Sequence, residues 1–271
     1  MSNTFNFKRF WNYFTYDLIS AKNNTGLSLA IAGAAPVFTY AIYQIFALLF
    51  DGKTAYMPSG VKIAAIVIAV FISILYFPTK QYGSLTDKRA GSDWLMLPAS
   101  RLEKWFSLLL ITCLVVPAFL FAELFATDKL LSLIFDGTYG ASAFSQINRS
   151  VGLLWNEFTI EGVGKLAINA PYALYLSFCQ NILFFTLGAI YFKKSKIGMT
   201  FLSSFVLTIA LSMLLIAVGK IFSNFDFNLG PEDISDEAAM RTINIIVYSV
   251  YIVVFATLDI LLYLRIKSLK H

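Results

Sequence analysis

Long apolar blocks constrain this chain more than any other feature. Six of them occupy residues 27–50, 61–77, 105–126, 171–191, 198–222 and 243–264. A helix of roughly 20 apolar residues crosses a hydrocarbon core of about 30 Å. Because lipid offers the backbone no hydrogen-bond partner, such blocks are expected to form helices and not open strands. The pattern predicts an all-α integral membrane protein with six transmembrane helices in a domain over residues 27–271.

The composition agrees with this class. Hydrophobic residues make up 58% of the chain and charged residues only 14%, whereas a soluble domain carries about a quarter charged residues. Cys113 and Cys179 lie within apolar blocks and are expected to be buried small hydrophobic side chains. The only histidine is His271, at the end of the printed sequence, so a histidine-based active site is not expected.

Lysine and arginine are distributed unevenly between the connections. Segments 1–26, 78–104, 192–197 and 265–271 hold 14 of the 21 lysines and arginines. Cations accumulate on the cytoplasmic side of membrane proteins, so these segments and both termini are predicted to be cytoplasmic. The net charge of +5 then reflects orientation in the lipid bilayer. No nucleic-acid partner is expected, because there is no basic patch with interleaved aromatic residues outside the membrane.

An aromatic stripe precedes the first apolar block. It is formed by Phe7, Phe10, Trp11, Phe14 and Leu18, at offsets 0, 3, 4, 7 and 11. These offsets place the side chains on one face of a helix. The stripe predicts that residues 1–26 contain an amphipathic helix in the cytoplasmic interface, with Phe7, Phe10, Trp11 and Phe14 as anchors. An ordinary juxtamembrane aromatic belt is the alternative.

Polar side chains inside the predicted spans are energetically unfavourable unless they have a partner or a function. They are Gln44, Glu123, Gln180, Asn181 and Asp259. A charge at the bilayer centre costs at least ~2.5 kcal/mol, so each carboxylate should snorkel, find a local partner or line a translocation route. The three amides are expected to hydrogen-bond between helices.

The sequence contains no recognisable catalytic motif. Gly-Lys pairs at 52–53, 164–165 and 219–220 lack the glycine that a phosphate-binding loop places five residues earlier. Nucleophile-elbow and zinc-ligand spacings are also absent from the sequence. We therefore predict no catalytic residues, no metal ligands and no cofactor, and we do not expect this chain to be an enzyme.

The connection at 78–104 is the most distinctive segment. Its apolar cluster at 94–97 lies beside a charged turn, an arrangement suited to docking on a soluble partner. Packing against the inner interface is the alternative. Ser100 and Glu103 have the spacing of a capping box and are predicted to begin the third span.

This loop carries a family resemblance. Leu97-Pro98-Ala99-Ser100-Arg101, followed by Lys104, resembles a stretch in permease subunits of the type-2 exporter family of ATP-binding-cassette transporters, notably permease-like proteins of Bacteroidetes. The amphipathic start, the six spans and the internal termini also fit that family. The resemblance implies a multi-pass protein of the bacterial inner membrane.

The same resemblance implies partners. The protein would form a homo- or heterodimer with a second permease and bind separate ATP-binding subunits. Residues 82–93 would form the coupling helix and residues 5–19 a connecting helix along the membrane. The residues implied to contact the ATPase are Tyr82, Leu85, Asp87, Lys88, Arg89, Trp94 and Leu97.

Two functional hypotheses follow. The first is a permease subunit of an ATP-driven exporter, with ATP hydrolysis on a partner subunit and movement transmitted through 78–104. The second is a non-transporting membrane scaffold or accessory protein that acts through its outer segment, 127–170, which is long enough for an ordered cap. The sequence does not identify a substrate.

Overall fold

The computed structural model describes residues 5–146, 159–160, 164–165, 170–223 and 236–269. Its helices are α1 (Phe7–Gly33), α2 (Ala35–Asp51), α3 (Ser59–Tyr82), α4 (Lys88–Met96), α5 (Arg101–Ile134), α6 (Ala170–Tyr191), α7 (Lys196–Ser223) and α8 (Asp236–Ser268). A two-residue antiparallel pair joins β1 (Thr159–Ile160) to β2 (Gly164–Lys165) and is the only sheet in the described ranges. The predicted all-α class is confirmed apart from this pair. Much of the predicted outer segment 127–170 lies outside the described residues.

Several helices are suited to a membrane by length and composition. Three of them pass as candidate spans, over Ser59–Thr86, Arg101–Ile134 and Ser249–Ser268. Together, α1 and α2 qualify as a fourth, although the pair is bent by 44°. Within α6 and α7, shorter apolar helical stretches cover Tyr175–Tyr191 and Lys196–Ala210. The described residues therefore contain three candidate spans, or four when the bent pair is included.

The first predicted span is broken. Rather than ending near residue 26, α1 continues through a π-helical turn at Lys22–Gly26, and the chain bends after Gly33. Ala35 begins α2, and Pro36 lies in its first turn; because proline has no N–H to donate, the helical hydrogen-bond ladder is interrupted here. The Thr127 hydroxyl donates to the Gly33 carbonyl at 2.9 Å, which satisfies an acceptor at the break.

Two further helices extend beyond their predicted ends. Although the second span was predicted to stop at 77, α3 continues past Pro78 to Tyr82. The third was predicted to stop at 126, but α5 continues to Ile134. No glycine or proline interrupts 127–134, so nothing local ends that helix. Hydropathy marks where the apolar residues stop, which need not be where the helix stops.

At the centre of the bundle, α6 packs against α3 and α8. Its Ile182, Leu183, Thr186 and Ile190 are fully buried. By contrast, α7 exposes apolar side chains around much of its circumference, including Phe201, Leu202, Phe205, Val206, Leu207 and Ile209. An exposed apolar surface of this kind is compatible with lipid or another hydrophobic partner.

Close packing joins α6 to α7. A methyl group added at Gly188 would lie well inside van der Waals distance of the Thr200 side chain. We expect Gly188→Ala to lower the free energy of unfolding by about 1–3 kcal/mol, because it overpacks this contact. Unfolding of the detergent-solubilised protein measures the change. Adding Thr200→Ala should restore most of the loss, and Gly198→Ala, where a methyl meets no atom within 4 Å, should change little. An equal loss in Gly198→Ala would contradict the packing argument.

The four cation-rich segments meet at one end of the bundle. The Arg9 side chain binds Glu103, and the Lys196 ammonium donates to the Gly83 carbonyl. The Arg265 guanidinium donates to the Ile190 carbonyl at 3.3 and 3.4 Å. We call the end of the bundle that contains these three contacts the cation-rich end. The opposite end contains the 52–58 and 135–146 connections, which are joined by a hydrogen bond from the Met57 N–H to the Thr138 carbonyl.

Candidate functional site

A short helix, α4, lies at the cation-rich end between α3 and α5. It follows a 3-10 turn over Gly83–Thr86, and Asp87 has the extended backbone of an N-terminal flanking residue. Leu97 leaves the helical conformation ahead of Pro98, as residues before proline tend to do. The helix is nine residues long, so most of its stability must come from contacts with its neighbours.

Glu103 connects three segments at the start of α5. The capping box predicted from the sequence is confirmed: the Ser100 hydroxyl accepts from the Glu103 N–H at 3.3 Å, and the Glu103 carboxylate accepts from the Ser100 N–H at 2.8 Å. The same carboxylate accepts two hydrogen bonds from Arg9, each 2.7 Å long, and one from the Asn6 N–H at 2.8 Å. Glu103 therefore attaches α1 to the end of the 78–104 loop.

The end of α4 is held by two side chains from neighbouring helices. The Trp94 indole N–H donates to the Tyr13 hydroxyl at 2.9 Å. The buried Lys104 ammonium donates to the carbonyls of Trp94 and Leu95, at 2.7 and 3.2 Å. It also lies 4.6 Å from the Trp94 ring centroid. A cation at these terminal carbonyls is favourable because they carry the negative end of the helix dipole.

The turn that precedes α4 is connected to α7. The Lys196 ammonium donates to the Gly83 carbonyl and lies 3.9 Å from the Asp87 carboxylate. Since Asp87 is exposed, the ion pair itself contributes little to stability. The helix α4 and the turn that precedes it therefore make contacts with α1, α5 and α7.

The outward face of α4 is polar with one apolar residue. Arg89, Asp93 and Met96 are exposed, and their spacing of four and three residues places them on one helical face. Met96 is 74% exposed, and methionine adapts readily to different partner surfaces. We call these three residues the α4 face.

The residues predicted to contact an ATPase differ in solvent exposure: some are buried and others are exposed. Tyr82 and Leu85 are buried in the core, so the structure removes them from any docking surface. Asp87 and Arg89 are exposed, and Trp94 and Leu97 are half-buried. The side chain of Lys88 lies outside the described residues. The short helix itself is Lys88–Met96 and not the predicted 82–93.

The predicted aromatic anchors also differ in solvent exposure. Phe7 and Trp11 are exposed, with ring centroids 6.4 Å apart, and Phe14 is half-buried. Phe10 is only 3% exposed and packs on Phe106, at a centroid distance of 5.3 Å. The prediction that Phe10 is an interfacial anchor is therefore wrong, because its ring packs in the contact between α1 and α5.

Of the polar residues predicted inside spans, two connect helices. The Gln180 amide donates to the Tyr251 carbonyl at 2.7 Å, as expected for an interhelical bond. Asp259 accepts from the Trp105 indole at 3.0 Å, which gives this carboxylate a local partner.

Gln44 and Asn181 do not act between helices as predicted. Gln44 holds the connection after α2 through two bonds to Ala55, at 2.8 and 3.2 Å. Asn181 is exposed and donates within its own helix to the Ser177 carbonyl, at 2.7 Å. Each amide reaches a nearby backbone group more easily than a facing helix.

Glu123 lies against the bend between α1 and α2. A methyl group at Gly33 would overlap its side chain, so glycine is required for this approach. One carboxyl oxygen of Glu123 is buried and has no hydrogen-bond partner within the described part of the chain. The structure thus places Glu123 at a helix break and next to the Thr127 bond that satisfies the break.

A polar cluster at the opposite end had no signal in the sequence. The fully buried Asp128 accepts from the Tyr139 hydroxyl at 2.6 Å and from the N–H groups of Ala143 and Phe144, at 3.0 and 3.2 Å. Burial raises the pKa of the Tyr139 phenol, and its bond to Asp128 adds to this effect, so the phenol remains a donor. The cluster shapes the cap over 135–146.

Lys62 belongs to the same region. It is 1% exposed, donates to the carbonyls of Tyr139 and Ala141, and lies 4.4 Å from the Tyr139 ring centroid. The sequence alone shows Lys62 only as a charged residue at the edge of an apolar block. Its hydrogen-bond partners cannot be predicted from it, because they are more than 75 residues away.

Comparison with known proteins identifies no relative. No family model, curated protein or solved structure matches the chain. Among the residues that the structure describes, no three histidine, cysteine, aspartate or glutamate side chains are arranged to hold a metal ion. Interpretation of the site therefore depends on its own geometry.

Proposed function

We propose that this protein is the permease subunit of an ATP-driven exporter, and that α4 is its coupling helix. The observation that carries the proposal is the combination of a short, anchored surface helix with an exposed face. Arg89 and Asp93 offer charges of both signs and Met96 an apolar contact. Such a surface suits a soluble partner with a polar rim and a small hydrophobic pocket.

The anchors of α4 support a role in transmission. Trp94 and Lys104 attach it to α1 and α5, and Lys196 attaches the turn that precedes it to α7. A push on α4 would therefore move several helices as one body. Rigid-body movement of two such subunits, driven by ATP binding on partner chains, is the mechanism we propose.

We propose six membrane crossings with both ends in the cytoplasm. Arg9, near the start of α1, and Arg265, near the end of α8, both make contacts at the cation-rich end, which supports an even number of crossings. The 22 residues of α6 and the 28 of α7 extend about 33 and 42 Å at 1.5 Å per residue. Both lengths suffice for a hydrocarbon core of about 30 Å. The clustering of cations supports placing this end in the cytoplasm.

Affinity purification from native membranes tests the proposal. The wild-type protein should recover an ATP-binding subunit, identified by mass spectrometry. The double variant Arg89→Glu, Met96→Asp should recover at least about tenfold less, since a hot-spot contact is typically worth 2 kcal/mol or more. Asp136→Lys changes an exposed charge at the opposite end and serves as the control that should not reduce recovery.

Two outcomes would count against this function. One is an absence of any ATPase subunit from the wild-type sample while other membrane complexes are recovered intact. The other is equal recovery by wild type and the double variant. If recovery of a partner instead depends on the outer segment 127–170, the scaffold hypothesis gains support.

A further inference from the structure

A cavity of about 270 Å³ lies between α1, the end of α3 and α4. Its described lining combines two carboxylates, four aromatic rings and several neutral polar groups. The charged and aromatic members are Tyr13, Tyr16, Asp17, Tyr82, Asp93 and Trp94. No lysine or arginine is among the described lining residues, although the cavity lies at the cation-rich end. The charge of the lining therefore favours a cationic ligand.

Asp17 provides the deepest charge in this cavity. Its side chain is buried, with 6% of the residue exposed, and it accepts from the Ser107 hydroxyl at 2.8 Å. The ion pairs found among the described residues join Arg9 to Glu103 and Lys196 to Asp87, so Asp17 has no protein cation as a partner there. A buried carboxylate without a counter-charge is energetically costly.

Tyr82 provides independent evidence for a ligand. Only 3% of the residue is exposed, and its hydroxyl has no hydrogen-bond partner within the described part of the chain. Buried hydroxyl groups almost always have a partner. Because Tyr82 lines the same cavity as Asp17, a ligand with an N–H group could satisfy both side chains at once.

The dimensions of the cavity distinguish between classes of cation. Its volume of about 270 Å³ has room for a small organic ligand or several water molecules. A bare metal ion instead needs several oxygen atoms drawn to about 2.3–2.6 Å or closer. Aromatic rings attract organic cations through their faces, and neutral polar groups such as Ser20, Asn24 and Gln81 complete the wall.

We propose that this cavity binds a small organic ammonium ion, with Asp17 as its counter-ion and the Tyr82 oxygen accepting one of its N–H groups. Asp93 and Tyr16 are exposed and form the entrance. The site belongs to the isolated subunit and does not depend on the docking of an ATPase.

Equilibrium binding to the full-length protein in lipid nanodiscs tests this inference. The probe is n-butylammonium, measured by titration calorimetry, and n-butanol is its uncharged analogue. Wild type should bind the ammonium saturably and the alcohol at least about tenfold more weakly. Asp17→Asn and Asp93→Asn should each weaken binding about tenfold, and Tyr82→Phe about threefold to tenfold, because each loses a charged or charge-assisted contact. Asp51→Asn, which removes an exposed carboxylate remote from the cavity, should bind like wild type.

The variants also separate binding from folding. Gel filtration and the thermal midpoint show whether each variant is folded, and the exposed Asp93 keeps the test decisive if Asp17→Asn does not fold. Several results would overturn the proposal: no saturable binding by wild type, equal binding of n-butanol, displacement by equimolar sodium, or unchanged affinity in Asp93→Asn.

Discussion

Replacing Glu103 with alanine is expected to lower the free energy of unfolding by about 3–4 kcal/mol, the scale for losing a helix cap and leaving charged and backbone donors without an acceptor. The carboxylate is fully buried and serves Arg9, Asn6 and Ser100 at once. Its loss should detach the beginning of α1 from α5. Reversible unfolding in mixed detergent micelles measures the change.

Two matched variants test whether the loss of stability in Glu103→Ala comes from the hydrogen bonds of its carboxylate. Glu103→Gln keeps one carbonyl oxygen as an acceptor, so we expect a smaller loss of about 1–2 kcal/mol. Asp136→Ala removes an exposed carboxylate and should change stability by less than about 0.5 kcal/mol. If alanine at 103 were no more damaging than alanine at 136, the connecting role of Glu103 would be refuted.

Replacing Asp128 with alanine is expected to cost about 2–4 kcal/mol, because three donors lose a buried charged acceptor. The donors are the Tyr139 hydroxyl and two backbone N–H groups of the following cap. The cap over 135–146 should loosen while the cation-rich end remains ordered. Hydrogen exchange localises the effect, and thermal unfolding measures its size.

Tyr139→Phe is the control for this second prediction. It removes one of the three hydrogen bonds and retains the aromatic ring beside Lys62. We expect a loss of about 1–1.5 kcal/mol, near the value for a single hydrogen bond. A loss in Tyr139→Phe as large as that in Asp128→Ala would show that the backbone donors of the cap contribute little.

Hydropathy predicts most of the helical architecture but not its interruptions. The apolar blocks correspond to helices because each depends on residues adjacent in sequence. The bend after Gly33 leaves no mark in the hydropathy pattern, because the apolar run continues on both sides of it; Pro36 is the local signal. Hydropathy also does not predict the extension of α5 to Ile134, because polar residues can continue a helix after hydrophobicity falls.

The site was predictable only where its geometry is local. Ser100 and Glu103 are three residues apart, so their capping box follows from the sequence. The partnership of Glu103 with Arg9 spans 94 residues and leaves no periodic signal. Tyr82 and Leu85 belong to a loop of mixed polarity, and only packing between helices places them inside while Arg89 and Met96 remain exposed.

The apolar helices and the uneven distribution of cations between the connections follow from the amino-acid sequence alone. Both are sums over neighbouring residues, so no knowledge of distant contacts is needed. Which polar groups meet depends on the packing of the helices. Arg9 meets Glu103, Lys62 meets the 135–146 connection, and Asp17 lies in the same cavity as Tyr82, whose hydroxyl has no hydrogen-bond partner among the described residues. The reason is that burial and partnership depend on how the helices pack, and packing brings together residues that are far apart in the chain.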